Sequence, residues 1–172
     1  MLAEVLPGAS VSLLPALVAA EAVAGLPADP MRRLMAMVPR RLREAGELAS
    51  RLKLSNEESS RLADWAAPAL PHILGAGDAA MTEAFYRHGP AAVVDRGAIE
   101  AAEGAPGDLA ALANRANAWQ RPKFPVGGAD ALAAGLEGPG IGTALAALEE
   151  DWIASGFTLD RRLLIARLKT LN

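Results

Sequence analysis

Cysteine is absent from all 172 residues. That excludes disulfides, zinc knuckles, iron–sulfur ligation and a thiol nucleophile within the chain, and it suits the reducing cytoplasm. Aromatic residues are scarce at 4%, and the Val, Ile, Tyr and Phe that strand-rich folds use give way to Ala and Leu. Small side chains favour helices packed closely on helices. Basic residues are missing from Phe124 to Asp160, a stretch that holds six acids. The net charge of −3 argues against nucleic-acid binding through overall electrostatics, so any RNA contact must be local.

Catalytic patterns are lacking as well. The two histidines, His72 and His88, have no metal-ligand or His–Asp spacing around them and read as surface or partly satisfied side chains. There is no G-x-S-x-G elbow, no phosphate-binding G-x-x-x-x-G-K loop and no D-x-D pair to hold magnesium. Glu57-Glu58 and Glu149-Glu150-Asp151 are adjacent positions, about 100° apart on a helix, and cannot converge as an acid–base pair. The expectation is a chain without a catalytic site or cofactor of its own.

What remains is apolar content of 52% against 22% charged residues, enough to fill a core. No Lys or Arg precedes the apolar stretch from Ala9 to Leu26. Glu4 does, and Pro15 and Glu21 interrupt it. It reads as a buried helix rather than a secretion signal or a membrane span.

Helix punctuation then recurs. Asp29-Pro30 opens a short helix through Val38, closed by Pro39. From Arg40 to Leu52, Leu42, Ala45, Leu48, Ala49 and Leu52 share one face, opposite Arg40, Arg43, Glu44, Glu47 and Arg51. Ser55 and Glu58 have capping-box spacing and start a helix near Asn56. Gly77-Asp78, Gly89-Pro90 and Gly107-Asp108 mark three further starts, with ends near Gly89, Gly104 and Trp119. The basic cluster Arg32, Arg33, Arg40, Arg41, Arg43, Arg51, Lys53 and Arg61 reads as a solvated helix face rather than an RNA groove.

Trp119 to Gly128, WQRPKFPVGG, is too rich in proline and glycine for a helix and divides the chain into a body of residues 1–118 and a tail of residues 119–172. In the tail, a short helix (Ala129–Ala134) leads through a glycine-rich hairpin to a helix from about Gly142 to Ser155. A last helix runs from Thr158 to Leu171, with two leucine stripes that predict it to be sandwiched. The fold class is all-α, an array of short antiparallel helices without a sheet.

One loop invites a ligand. Leu136-Glu137-Gly138-Pro139-Gly140-Ile141-Gly142 lies between two helices, and its glycines bare N–H groups at a helix start. It resembles the helix-hairpin-helix module, which holds nucleic-acid backbones; a plain interhelical turn is the alternative. Gly140, Gly142 and Thr143 are candidate RNA contacts, together with Arg121 and Lys123, the nearest basic residues, in the irregular segment.

Pro122-x-Phe124-Pro125-x-x-Gly128-x-Asp130, Gly138-Pro139-Gly140-Ile141-Gly142, the Leu145–Leu148–Trp152 face and Arg161-Arg162 together resemble the C-terminal region of class II CCA-adding tRNA nucleotidyltransferases and their poly(A) polymerase relatives. LKLSNEESSRL (Leu52–Leu62) and DPMRRLMAMVP (Asp29–Pro39) resemble helices of that family's body region. The resemblance implies an RNA-holding module whose partners are tRNA or another RNA 3′ end and the N-terminal catalytic head of the same protein. The head's magnesium-binding acids, its G-S motif and its choice of CTP or ATP have no counterpart here, so only RNA docking carries over. Met1 is expected to be introduced or internal to a longer parent chain. A helical scaffold or protein-interaction domain without RNA binding is the competing expectation.

Overall fold

The computed structural model describes residues 8–170, and among these every regular element is a helix. The chain divides into two compact units, one reaching Trp119 and one beginning at Gln120. Trp119 stays with the first unit because its ring packs on Phe85, with centroids 5.3 Å apart.

The first unit holds α1 (Leu14–Val23), α2 (Pro30–Met37), α3 (Leu42–Leu52), α4 (Asn56–Ala66), α5 (Asp78–Ala102) and α6 (Leu109–Ala118). Local side-chain chemistry sets most of their starts. Asp29 accepts from the Arg32 N–H at 3.0 Å ahead of Pro30, and Asp108 accepts from the Ala111 N–H at 2.9 Å. Ser55 and Glu58 form the reciprocal capping box, with the Ser55 N–H donating to the Glu58 carboxylate at 2.8 Å and the Glu58 N–H to Ser55 Oγ at 3.2 Å. At Gly89-Pro90 two helical segments meet in one kinked rod. Proline lacks the N–H and crowds the carbonyl four residues back, and Gly89 takes up the bend at φ 80° and ψ 158°.

Helix α5 packs against α1, α2, α4 and α6, and around it Leu17, Met35, Leu62, Trp65, Phe85 and Leu112 form a buried core. Its contact with α6 depends on Gly97. A Cβ there would lie 2.3 Å from Leu112 Cδ2. Gly97→Ala therefore forces the buried Leu112 into another rotamer, and the expected loss is about 1–3 kcal/mol of stability in urea unfolding.

Two sequence expectations in this unit are corrected. The stretch Ala9–Leu26 is not a buried helix: α1 spans only Leu14–Val23, and of its residues Leu17 and Glu21 alone are buried, leaving Val18 and Val23 exposed. Its apolar residues lie on all sides, and only the side packed on α5 and α2 is covered. The basic residues are not all a solvated face either. Arg41 and Arg43 are exposed beside Glu44 and Glu47, but Arg32 is buried. Arg40 lies outside α3, donating to the carbonyls of Trp65, Ala67 and Leu70 at 2.6–2.8 Å.

The second unit is a small helical cluster of α7 (Gly128–Ala133), α8 (Gly140–Ala154) and α9 (Arg161–Leu168), closed over Leu148, Trp152, Leu164 and Leu168. Helix α9 starts three residues later than the sequence predicts. Ser155 Oγ accepts from the N–H groups of Thr158 and Leu159, holding that segment as a turn, and Asp160 caps the helix by accepting from the Leu163 N–H at 2.8 Å. The sandwiched arrangement is not found: Leu164 and Leu168 are buried, but Leu163 is 46% exposed. Leu171, the expected end of this helix, lies outside the described residues.

Candidate functional site

In the second unit, the residues of the irregular segment are built into a fixed corner. The Arg161 guanidinium forks onto Asp130, with Nη2 at 2.6 Å and Nη1 at 2.7 Å from the two carboxylate oxygens, and Nη1 also donates to the Pro125 carbonyl at 3.0 Å. Asp130 in turn accepts from the Gly127 N–H at 3.0 Å. Phe124 packs on Trp152, with centroids 5.3 Å apart, and Phe157 meets the same indole edge-on at 4.8 Å.

Arg161, and then the Gly127 N–H, hold the Asp130 carboxyl below its ordinary value of 3.8. The folded state thus prefers the charged form. Its contribution is complete above that ordinary value and disappears as pH falls through the lowered folded value. Acid unfolding of the parent and of Asp130→Asn, followed by Trp152 fluorescence in a background lacking the other two tryptophans, is expected to show a difference near neutral pH. Below that folded value the two curves should merge.

The hairpin residues occupy the opposite end of α8. Gly138, at φ 56°, makes a turn that an L side chain rarely adopts, and the helix begins at Gly140, two residues before the expected Gly142. Gly140, Gly142 and Thr143 are exposed. Thr143 occupies the fourth helical position, where its N–H belongs to the helix ladder, and its hydroxyl lies 3.5 Å from the Pro139 carbonyl. The Ile141 N–H turns to Gly138 at 3.3 Å. The amides of Gly140 and Gly142 are therefore the ones the turn presents.

Arg121 and Lys123 are also exposed. Phe124, next to Lys123, is anchored on Trp152, twelve positions along α8 from Gly140, or roughly 18 Å of helix rise. The structure gathers Phe124, Asp130, Trp152 and Arg161 into one corner and leaves the glycine amides at the far end of the helix.

The first unit contains an ion cluster that sequence reasoning missed. Asp95, 0% exposed on α5, accepts from Arg32 Nε at 3.1 Å, from Arg61 Nε at 2.7 Å and from Arg61 Nη2 at 2.8 Å. Arg32 Nη1 donates to the buried Glu21 at 2.7 Å, and Arg61 Nη2 reaches Asp29 at 2.8 Å. The hydrogen bonds to Asp95, and then those to Asp29, push the Arg61 guanidinium above its ordinary value against the opposing effect of burial. At Asp29 burial acts to raise the carboxyl, but the hydrogen bonds from Arg61 and the Arg32 N–H outweigh it and hold it low. One signal was available in the sequence: Glu21 and Asp95 are single acids inside apolar runs, and buried acids are found paired.

This cluster forms the floor of a cleft of about 490 Å³ within the first unit, walled by the chain after α1, by α5 and by α6. A third buried acid, Glu100, ties down the loop before α5. Its Oε2 accepts from the N–H groups of Ile73 and Leu74 at 2.9 and 2.8 Å. Its Oε1 lies 2.7 Å from Arg96 Nε, an ion pair in distance that is not aligned as a hydrogen bond. His72 Nδ1 is 2.9 Å from the same oxygen, with 82% of its side chain exposed.

Among the described residues, no three His, Asp or Glu side chains are placed to hold a metal ion, and no helix is long and apolar enough to cross a membrane. Compared with family models and with curated proteins, the chain matches none.

Proposed function

We propose that this chain is the RNA-holding C-terminal part of a tRNA nucleotidyltransferase or poly(A) polymerase, a non-catalytic module that docks the 3′-end region of tRNA or another RNA for nucleotide addition elsewhere in a parent protein. One observation carries this reading. The residues that bear the resemblance in the tail, Phe124, Asp130, Trp152 and Arg161, are far apart in sequence but meet in one corner. Arg121 and Lys123 lead into that corner as exposed cations suited to phosphates, and the amides of Gly140 and Gly142 offer a second backbone contact.

The test is binding of the full chain to a tRNA acceptor minihelix over a series of salt concentrations. Each basic residue that neutralises a phosphate adds about 1 to the slope of log K against log salt. Arg121→Ala with Lys123→Ala is expected to lower that slope by about 2. Absence of salt-sensitive binding would sink the reading. A second reading, a protein-interaction scaffold, draws on the exposed and uncharged Val11, Val18 and Val23 of the α1 region. It predicts no minihelix binding at any salt.

A further inference from the structure

We infer that the cleft over the Arg32–Asp95–Arg61 cluster is a binding site for a phosphate-type oxyanion. The inference rests on the RNA-docking reading only for one of the two sources such a group could have.

The hydrogen-bonding capacity left over in the cleft points to an acceptor. All four carboxylate oxygens of Asp29 and Asp95 are already turned to N–H donors: Asp29 to the Arg32 amide and Arg61, Asp95 to Arg32 and Arg61. The guanidiniums are not used up. Arg32 spends Nε on Asp95 and Nη1 on Glu21 and the Pro27 carbonyl, which leaves Nη2 without a partner among the described residues. That nitrogen is not one of the sealed, unpartnered buried atoms, although Arg32 as a whole is 5% exposed, and Arg32 lines the cleft. Arg61 likewise spends Nε and Nη2 and retains Nη1.

On the wall opposite, Asn114 and Asn117 stand one helical turn apart on α6, exposed, with carboxamides that have no protein partner among the described residues. A guanidinium can only donate, and each carboxamide sets two N–H donors beside its one acceptor oxygen, so donors outnumber acceptors in what the cleft leaves over and a phosphate oxygen finds several of them. The carboxylates fix both guanidiniums before any ligand arrives, which lowers the entropy cost of closing on it. With Glu21, Asp29 and Asp95 balancing Arg32, Arg33 and Arg61, the cluster is close to neutral. That favours a singly charged phosphodiester, or a phosphate monoester with its charge of about −1.5 to −2, over a polyphosphate.

The experiment is a titration of the isotope-labelled full chain with inorganic phosphate, with CMP and with a single-stranded RNA trinucleotide. The signals read are the Asn114 and Asn117 side-chain amides and the Arg32 and Arg61 Nε–H groups. Ala91→Phe fills the cleft from an exposed position and leaves every residue of the ion cluster in place, and Asn117→Leu removes one wall donor. Either variant is expected to weaken binding about tenfold, the scale of one hydrogen bond to a charged group. Should one variant fail to fold, the other provides the comparison.

Movement of these signals by phosphate or CMP supports the site with a free small molecule as its source. Movement by the trinucleotide alone supports it with an RNA backbone as source. If no probe moves them, or if both variants bind every probe as the parent does, the inference is overturned. Minihelix binding that depends on Arg121 and Lys123, with no probe moving the cleft signals, would overturn the cleft and leave the RNA-docking reading standing. Phosphate binding without minihelix binding would do the reverse.

Discussion

Asp95→Ala is expected to remove about 3–5 kcal/mol from the stability of the first unit, the scale seen when one partner of a buried ion pair is deleted. Asp95 is wholly enclosed and takes three of the N–H donors of Arg32 and Arg61. Neither guanidinium can turn elsewhere, because Glu21 and Asp29 are already engaged with Arg32 Nη1 and Arg61 Nη2. The truncation therefore leaves two cations facing a space that no longer holds a counter-charge, and it adds a small cavity. Asp95→Asn keeps the volume and one acceptor oxygen, so its loss should be smaller. Denaturant unfolding in a Trp152→Phe background confines the fluorescence to Trp65 and Trp119, both in the first unit. A loss below about 1 kcal/mol would mean that solvent entering from the cleft replaces the carboxylate, and the account of the cluster would fail.

Glu100→Ala is expected to cost a similar amount, about 3–5 kcal/mol, with a more local signature. Glu100 is 1% exposed and is the acceptor for two consecutive backbone amides, Ile73 and Leu74, in a loop that makes no helix of its own. Removing it strands both amides and leaves the buried Arg96 without the carboxylate 2.7 Å away. Hydrogen exchange at Ile73 and Leu74 should accelerate more than at core amides of α5, because the loop loses its anchor before the unit unfolds. Glu100→Gln is not a neutral change: its N–H₂ must face either two amide donors or a guanidinium, all donors themselves. His72→Ala should cost little, since that side chain is mostly in solvent and its contact with Glu100 is screened. Unchanged protection at Ile73 and Leu74 in Glu100→Ala would show that neighbouring packing, not the carboxylate, holds the loop.

Helix starts were readable because their causes lie within three or four residues. Asp29 and the Arg32 amide, Ser55 and Glu58, and Asp108 and Ala111 all satisfy a helix end with a neighbour in sequence, and proline and glycine add the breaks. Where the reading of the basic residues went astray, the deciding partner was distant. Arg32 meets an acid 63 positions away, and Arg61 meets the same acid 34 positions away. On a helical wheel both arginines belong to a polar face, and only the packing of α2 and α4 onto α5 turns that face inward.

The candidate site follows the same division. Glycines and a proline at 138–142 announce a turn between helices, and the irregular WQRPKFP segment announces a break, each from local backbone chemistry alone. That Arg161 would close on Asp130 and Pro125, 31 and 36 positions earlier, has no counterpart in any period or spacing.

An all-helical chain, the capped helix starts at Asp29, Ser55 and Asp108 and the lack of cysteine and nucleotide-transfer motifs were thus determined by the sequence itself, because capping, backbone freedom and composition act over a few residues. Which charges are buried, which apolar helix remains exposed and where spare guanidinium donors collect were decided by tertiary structure, since burial and ion pairing depend on what the folded chain brings alongside.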